Sequence, residues 1–422
     1  MVINDFAPPV NGGNMRIYKM AKYLNKHGWQ VFILCNAINK KQEVESDDRL
    51  KMELDGVIIH NIPSYFKKKP AFPTLSDLSA VKKPFVYYVK NVLGKLYATI
   101  SKYAVPDTQR ILWIQKAIPY ATKLVRENNI PYLITSSPPH STQLIGSALK
   151  KIFKNKIHWV ADYRDMWSLS HVFELDYSRG KFRHLALERK LLTQSDKNIF
   201  VSEGIMKKTL EHFNIPGFIK KSRVITNGFD ADDFSNLGTF DLLPEKKINF
   251  SYVGTISGPQ MHTKLIEAIA GFENKEPFND LHFNFAGEFN KEVHTKLKTL
   301  KSVTIYPKLK HREGLNLMNS SDVLILILTN DEEGKVAFSG KFFEYLKIGK
   351  PILALVPEGE VSRIIRKYRL GIIANPENEN EIIEAISEIS TRKDFNVSDD
   401  TLLKSFEREE LCYQLESFIL EQ

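Results

Sequence analysis

The feature that most constrains this sequence is a short apolar run followed by a turn and then by a helix, repeated along the chain. At the amino end, residues 1–3 are apolar and residues 8–13 form a Pro/Asn/Gly turn cluster, after which apolar residues recur at helical spacing. Gly28 stands where a helix C-cap belongs, and residues 31–34 form an apolar run typical of a buried parallel strand. The spacing therefore predicts a β-α-β unit.

The same pattern recurs in two series. In the first half of the chain, apolar runs that end in polar loops lie at 132–134, 159–161, 198–201 and 223–225. In the second half, strands are predicted at 248–253, 281–286, 303–306, 323–328, 351–355 and 371–374. Alternation of this kind is typical of open parallel sheets covered by helices. We therefore predict an α/β protein with two tandem Rossmann-like domains.

A loop-like stretch rich in Asp, Asn and Gly, residues 230–247, separates the two series. We place the first domain at 1–240 and the second at 241–400. A last helix, at about 401–420 within the tail 401–422, is expected to cross back onto the first domain.

Composition excludes several classes of protein. The chain has 422 residues, which suggests two or three domains at about 150 residues each. Its longest aliphatic run, 323–328, is far shorter than the roughly 20 residues of a membrane span. Two cysteines make neither a disulfide framework nor a metal cluster, and the opening residues do not resemble a signal peptide, so a cytoplasmic location is expected. The net charge of +9 favours an anionic partner.

Residues 64–103 depart from the alternation of strands and helices. They contain eight lysines, one acid (Asp77) and eight Phe or Tyr residues. Phe85, Val89 and Val92 can share one helical face while the lysines lie elsewhere, which is the pattern of a helix at a membrane surface. The alternative is that this segment packs inside the first domain and its lysines are solvated.

Three glycine-containing loops are candidate phosphate sites, because ligands of open α/β sheets bind at the carboxyl ends of the strands. Gly12 and Gly13 precede a helix, and Gly254 and Thr255 follow the first strand of the second series. Glycine lets backbone N–H groups approach a phosphate, and a helix N-terminus attracts it; a plain tight turn is the alternative. No GxGxxG fingerprint occurs, so a nicotinamide or flavin dinucleotide is not supported.

The third loop, at 339–346, is the most informative. Gly340 and Lys341 open a predicted helix, with Glu344 one turn inside it. Such a lysine can contact a diphosphate and such a glutamate two ribose hydroxyls; a solvated charge pair is the alternative. A P-loop is rejected, because the spacing is one residue too long and Phe342 replaces the Ser/Thr that would hold magnesium.

Three residues of the first domain could take part in proton transfer or hydroxyl contacts. Arg164 and Asp165 follow a predicted strand, with a buried structural ion pair as the alternative, and His140 follows the Ser-Ser-Pro-Pro run at 136–139. Asp230 and Asp232 match the DxD pattern of metal-dependent sugar transferases, but three residues in a linker-like loop are weak support. No metal site is therefore predicted.

Six motifs stand in order along nearly the whole chain. They are Pro-Pro at 8–9 with Gly12, Gly13 and Arg16; Ser-Ser-Pro-Pro at 136–139; Asp-Tyr-Arg-Asp-Met-Trp at 162–167; Val-Ile-Thr-Asn-Gly-Phe-Asp at 224–230; Gly-Lys-Phe-Phe-Glu-Tyr-Leu at 340–346; and Gly-Lys-Pro-Ile at 349–352. With these motifs the chain resembles the family 4 glycosyltransferases, in particular the branch that builds bacterial surface polysaccharides such as O-antigen and capsule.

The resemblance implies a GT-B fold with the site in an interdomain cleft. It implies retaining, metal-independent transfer from a UDP- or GDP-linked sugar, with no cofactor and no nucleic-acid partner. Two groups of residues would then carry the reaction. On the donor side these are Gly12, Gly13, Gly254, Thr255, Lys264, Gly340, Lys341 and Glu344; towards the acceptor they are Arg164, with Asp165 and His140 as catalytic residues.

The resemblance also implies a hexosyl or N-acetylhexosaminyl donor and a lipid-linked glycan acceptor, with the protein peripheral at the inner membrane face. Family members usually begin with more residues before Asn4, so an in-frame upstream start is expected.

Two departures from the family pattern are visible. Val336 stands where a donor-contacting Glu is usual, and Thr255 where an Arg is common, for which Lys264 or His262 could substitute. Two alternatives stay open: a nucleotide-sugar 2-epimerase of the same fold, and a catalytically degenerate binding partner.

Overall fold

The computed structural model describes residues 1–4, 6, 12–36, 53–63, 111–170, 181–256, 263–273, 280–392, 394–396 and 399–421. These residues form two compact units. The first comprises Met1–Val201, Ile205–Ile225 and the chain from Leu415 onward, and the second comprises Ser202–Gly204 and Thr226–Gln414. The predicted boundary after residue 240 therefore lies inside the second unit.

The first unit is built on a parallel sheet. Its strands are β1 (Phe32–Asn36), β2 (Ile58–Ile62), β3 (Tyr132–Ser137), β4 (His158–Tyr163), β5 (Lys197–Phe200) and β6 (Ser222–Val224). β1 pairs with β2, and β3 to β6 pair in sequence order. Val2 joins the two parts, because its N–H donates to Ile134 O and its backbone forms parallel bridges to Leu34 and Thr135. The predicted strand at 1–3 is thus reduced to one bridging residue in the centre of the sheet.

Five helices of the first unit lie within the residues that the structure describes. They are α1 (Gly12–Lys26), α2 (Ile111–Asn128), α3 (Gln143–Phe153), α4 (Lys181–Gln194) and α5 (Glu203–Phe213), the last beginning at the unit boundary. Sequence analysis missed β2, a strand outside the buried apolar pattern, since Ile58 and Ile59 are each 38% exposed.

The second unit has a six-stranded parallel sheet in the order β12-β11-β10-β7-β8-β9. Its strands are β7 (Ile248–Val253), β8 (Leu281–Ala286), β9 (Val303–Tyr306), β10 (Val323–Ile327), β11 (Ile352–Leu355) and β12 (Gly371–Ala374). All six were predicted, four of them with the same bounds. Each is short and largely apolar, as expected of strands buried on both faces.

Helices pack on both faces of this sheet. They are α6 (Thr263–Phe272), α7 (Lys291–Lys298), α8 (His311–Ser320), α9 (Gly340–Ile348), α10 (Glu360–Tyr368) and α11 (Glu379–Thr391). One core cluster joins Phe250 to Ile269 and Ile386, and another joins Leu324 to Phe343 and Ile365. The stretch at 230–247, expected to be a linker, contributes Phe234, Leu237, Phe240 and Leu243 to the cores of the second unit.

The single helix predicted at 401–420 is wrong, because the structure has two: α12 (Asp400–Ser405) and α13 (Arg408–Leu420). At the break, Phe229 N donates to Phe406 O and Arg408 N donates to Phe229 O, so backbone groups of residues 406–408 pair with another segment. Beyond Leu415, the side chain of Lys197 donates to the carbonyl oxygens of Phe418 and Glu421. Among the helices that the structure describes, none is long and apolar enough to cross a bilayer.

Candidate active site

The carboxyl edge of the first sheet holds a buried ion pair. Asp162, in β4, accepts from Arg16 of α1 with Nη2 2.9 Å from Oδ1, and both side chains are at most 2% exposed. Asp162 Oδ2 also accepts from the hydroxyl of Ser136 at 2.7 Å, and Arg16 donates to Ile225 O at 2.9 Å. The two charges therefore satisfy each other. This network ties α1, which starts at Gly12 and Gly13, to β3, β4 and the end of β6.

Arg164 is part of the same scaffold. Its Nε lies 3.2 Å from Ser137 O, its Nη2 donates to Pro138 O, and its backbone N–H also donates to Ser137 O. The guanidinium thus fixes the turn after β3. Asp165, the next residue, is exposed.

His140 lies at this edge, at the start of a short 3₁₀ turn. Its ring stacks on Trp167 with centroids 5.1 Å apart and planes 4° apart, and the edge of Trp167 meets buried His184. Asp165 and His140 are therefore brought to one region, with Trp167 setting the plane of the imidazole. Sequence reasoning quoted Trp167 as part of a motif but gave it no role.

A buried carboxyl group lies beneath the Asp165 loop. Glu188, in α4, accepts hydrogen bonds from the backbone N–H and the hydroxyl of Ser168. Burial raises its pKa to about 7, although the two bonds from Ser168 act in the opposite direction. Sequence analysis missed Glu188, because an acid within a charged helix gives no sign that it faces the core.

The carboxyl edge of the second sheet is built differently. Gly254 follows β7 with φ +147°, and a Cβ there would lie 2.3 Å from both Cε and Nζ of Lys341. Lys341, from the first turn of α9, places its Nζ 2.6 Å from the hydroxyl of Tyr252 and 4.0 Å from the centre of that ring. Tyr252 donates in turn to Thr255 O at 3.2 Å. The predicted loop residues Gly254, Thr255, Gly340 and Lys341 are thus adjacent.

Lys341 carries a charge that its surroundings do not neutralise directly. Burial lowers its pKa to about 8, opposed by the charge of Glu344. Among the described residues, no carboxylate lies within 4 Å of its Nζ. The arrangement places a cation beside a glycine turn, which is suited to binding an anion.

Glu344 lies one turn further along α9. The helix buries Phe342, Phe343 and Tyr345 in the core, so Lys341 and Glu344 share its more open side. Glu344 is 28% exposed, and its Oε1 lies 3.1 Å from His311 Nε2. Its position is compatible with the predicted contact to ribose hydroxyls.

Other predicted residues have structural partners. Lys264 pairs with Glu267 at 2.5 Å and with Glu379 at 3.5 Å, so two acids already offset its charge. Asp230 accepts from the backbone N–H of Asp232 and caps a short 3₁₀ helix. Val336 is 7% exposed and packs as an apolar core residue. His262 and the lysine-rich segment 64–103 lie outside the described residues.

The two Rossmann-like units define the class of protein. Three solved structures illustrate the likeness. The Anabaena protein HepE in complex with UDP and glucose has a TM-score of 0.65 and 14% identity, and the match covers 100% of this chain and 98% of that one. WaaG, a glycosyltransferase involved in lipopolysaccharide biosynthesis, has a TM-score of 0.58 and 11% identity, with coverages of 100% and 99%. The UDP-GlcNAc 2-epimerase of Neisseria meningitidis bound to UDP-GlcNAc has a TM-score of 0.56 and 13% identity, with coverages of 100% and 100%. At these identities the likeness establishes the fold, which is GT-B.

The sequence itself identifies the family. The model of Glycosyltransferase Family 4 matches residues 10–233, more than half of the chain, and that of Glycosyl transferases group 1 matches residues 247–392. A comparison with curated proteins finds no match. The chain belongs to glycosyltransferase family 4, and the predicted family and fold are confirmed.

Proposed function

We propose that this glycosyltransferase moves a hexosyl or N-acetylhexosaminyl group from a nucleoside diphosphate sugar, with UDP as the first candidate nucleotide. The observation that carries the proposal is the position of Lys341. Its partly buried ammonium lies beside the Gly254 turn, and no carboxylate of the described residues contacts it. A diphosphate would supply the missing negative charge. The structures of HepE with UDP and of the Neisseria epimerase with UDP-GlcNAc support the choice of nucleotide.

The proposed reaction requires a cation beside the β-phosphate of the donor. An acceptor hydroxyl oxygen bonds to the anomeric carbon while the bond from that carbon to the β-phosphate oxygen breaks. Both electrons of the broken bond leave with the nucleoside diphosphate, and the acceptor proton passes to a β-phosphate oxygen on the same face, which retains the configuration. Donors already aimed at the developing charge stabilise this transition state. Lys341 and the backbone beside Gly254 and Gly340 are suited to do so without a metal.

Roles for the remaining residues stay predictions. Glu344 would hold the ribose, Gly12 and Gly13 would face the donor, and Asp165 and His140 would act on the acceptor hydroxyl. Lys264 also stays a predicted donor-side residue, and in the structure it pairs with Glu267 and Glu379.

The test is calorimetric titration of the whole protein with UDP and GDP, followed by assay of donor cleavage in EDTA. Lys341→Met should weaken binding of the preferred nucleotide about 10- to 150-fold, since a hydrogen bond to a charged group is lost. Lys296→Met, which removes an exposed lysine paired with Glu292 in the same unit, should leave affinity unchanged.

Four results would contradict the proposal. Wild-type affinity in the Lys341→Met protein would remove this site. A strict requirement for Mn²⁺ or Mg²⁺ would favour metal binding by Asp230 and Asp232. Conversion of UDP-GlcNAc to its 2-epimer without transfer would favour an epimerase, and nucleotide binding without either reaction would favour a degenerate partner.

The acceptor is proposed to be a lipid-linked glycan in surface polysaccharide synthesis, such as O-antigen or capsule, reached from the inner membrane face. Support comes from where the basic segment 64–103 is attached. β2 runs parallel to β1 and ends at Ile62, at the carboxyl edge of the first sheet. α2 starts at Ile111, and Lys116 in its first half donates to Pro63 O. Pro63 and the start of α2, the described residues on either side of this part of the chain, therefore lie at the edge that carries His140 and Asp165.

This proposal is tested by co-sedimentation with vesicles of phosphatidylglycerol and phosphatidylcholine. We expect binding at low salt that falls at high salt and falls again when Lys67, Lys68 and Lys69 become Gln, because each lysine near an anionic leaflet contributes about 1 kcal/mol. The matched control changes Lys151, Lys154 and Lys156 to Gln. These lie around the end of α3, which leads into the amino end of β4. Absence of wild-type binding, or equal loss in both triple variants, would contradict the proposal.

A further inference from the structure

The contact between Lys341 and Tyr252 joins two elements far apart in sequence. Tyr252 belongs to β7 and Lys341 to α9, 89 positions later. The lysine passes over the tyrosine ring and ends 2.6 Å from its hydroxyl oxygen, so it makes both a cation–π contact and a hydrogen bond. Among the hydrogen bonds of the described residues, this hydroxyl is the lysine's one acceptor.

The direction of these hydrogen bonds follows from proton counting. A tyrosine hydroxyl has one proton, and here it lies 3.2 Å from Thr255 O. The oxygen can then only accept from Lys341, which leaves two of the three ammonium N–H groups for another acceptor. Burial raises the pKa of Tyr252 well above its usual range, so the hydroxyl keeps its proton at any working pH.

Space for the ammonium depends on the same turn. Gly254 lies two residues after Tyr252, and any side chain there would overlap the end of Lys341. Tyr252 and Gly254 thus hold the end of the lysine, and Thr255 fixes the hydroxyl of Tyr252.

We propose that Tyr252 is a positioning residue for sugar transfer, whose ring and hydroxyl hold the charged end of Lys341 towards the donor diphosphate. The proposal rests on the proposed function, because it takes Lys341 as the group that binds the diphosphate. It also accounts for Thr255 at a position where the family commonly has an arginine. The cation reaches the turn from α9 instead, and Tyr252 keeps it there.

The proposal predicts a specific pH dependence. Burial lowers the pKa of Lys341 to about 8, so affinity for UDP should fall as pH rises past 8. The phosphate groups of UDP keep their charge in this range, since the second pKa of a phosphate is about 6. The uracil N3–H ionises at higher pH, so the profile is read below pH 9. Among the described residues, the groups that face Lys341 are Tyr252 on β7 and Glu344 on α9, and burial holds the pKa of Tyr252 above the range tested. Lys341 is therefore the group expected to titrate.

The experiment measures UDP affinity of the whole protein by calorimetry from pH 7 to 9, with GDP in its place should GDP bind more tightly. Tyr252→Phe keeps the ring but removes the acceptor of the ammonium proton. We expect affinity at pH 7 to fall about 10-fold and the fall at high pH to begin about one unit lower. Tyr306→Phe is the matched control, because Tyr306 also donates from the same sheet to a backbone carbonyl, Leu242 O.

The outcomes separate the two proposals. Wild-type affinity and an unmoved pH profile in Tyr252→Phe, with Lys341→Met still impaired, would overturn the role of Tyr252 alone. Wild-type affinity in Lys341→Met would overturn the proposed function as well. A Tyr252→Phe protein that is weaker at every pH by the same factor, with no shift of the profile, would show a merely structural effect and also overturn the positioning role. Circular dichroism and thermal unfolding establish that each variant is folded.

Discussion

The carboxyl edges of the two sheets carry charge in opposite ways. In the first unit, Arg16 and Asp162 are both buried and pair with each other at 2.9 Å, so the protein itself neutralises them. In the second unit, Lys341 is held by a tyrosine, and no carboxylate of the described residues touches it. A charge satisfied within the protein is suited to hold elements together, whereas an unsatisfied one is suited to bind a ligand. The same edge of similar folds thus serves as scaffold in one unit and as candidate binding site in the other.

The largest expected effect tests the scaffold. Arg16→Met would leave buried Asp162 without its cation, and breaking a buried pair from one side costs about 3–5 kcal/mol. Urea unfolding followed by tryptophan fluorescence measures this, since all four tryptophans (Trp29, Trp113, Trp159 and Trp167) belong to the first unit. The control is Lys123→Met, which breaks an exposed pair with Glu127 and should cost less than about 1 kcal/mol. Equal stability of the two variants would refute the scaffold role.

The next prediction concerns Glu188, a carboxyl group that accepts hydrogen bonds from Ser168 and has no cationic partner within the described part of the chain. Its pKa is about 7 in the folded protein and near 4.5 otherwise, so between these values the folded state keeps a proton that the unfolded state releases. Stability should therefore fall by about 3 kcal/mol as pH rises through this window. Glu188→Gln, which keeps an acceptor for Ser168 and cannot ionise, should stabilise the protein at pH 8 and have little effect at pH 5.

The same tryptophan signal reports this change. Exposed Glu127→Gln is the control, and its effect on the unfolding free energy should stay small at both values of pH. If Glu188→Gln changes the unfolding free energy by the same amount at pH 5 and at pH 8, then Glu188 is ionised in the native state across the whole range.

The smallest effect on stability belongs to the candidate binding site. Glu344→Ala should weaken UDP binding by about 1.5–3 kcal/mol, or 10- to 150-fold, through loss of hydrogen bonds from the ribose hydroxyls to a charged group. Because Glu344 is 28% exposed, the unfolding free energy should change little. Glu358→Ala, at an exposed carboxylate paired with Arg366, is the calorimetric control. An unchanged dissociation constant for Glu344→Ala would exclude this residue from the site.

The fold was largely predictable because its signal is local. Strands such as β10, β11 and β12 are continuous apolar runs, and burial on both faces favours that pattern wherever the strand lies in the sheet. β2 was missed because it is partly exposed, and the last helix was wrongly continued because its break depends on Phe229, a residue far away in sequence.

The sequence by itself also placed Lys341 and Glu344 one turn apart at a helix start, and named the loops after the strands, because helical spacing and strand ends are properties of short segments. Only the tertiary structure decided which charges are neutralised. Arg16 and Asp162 are 146 positions apart, and Lys341 and Tyr252 are 89 apart. Lys264 resembled a donor ligand in sequence but has Glu267 and Glu379 as partners in space. The distance between two charges depends on how the sheets and helices pack, and no periodicity along the chain contains that information.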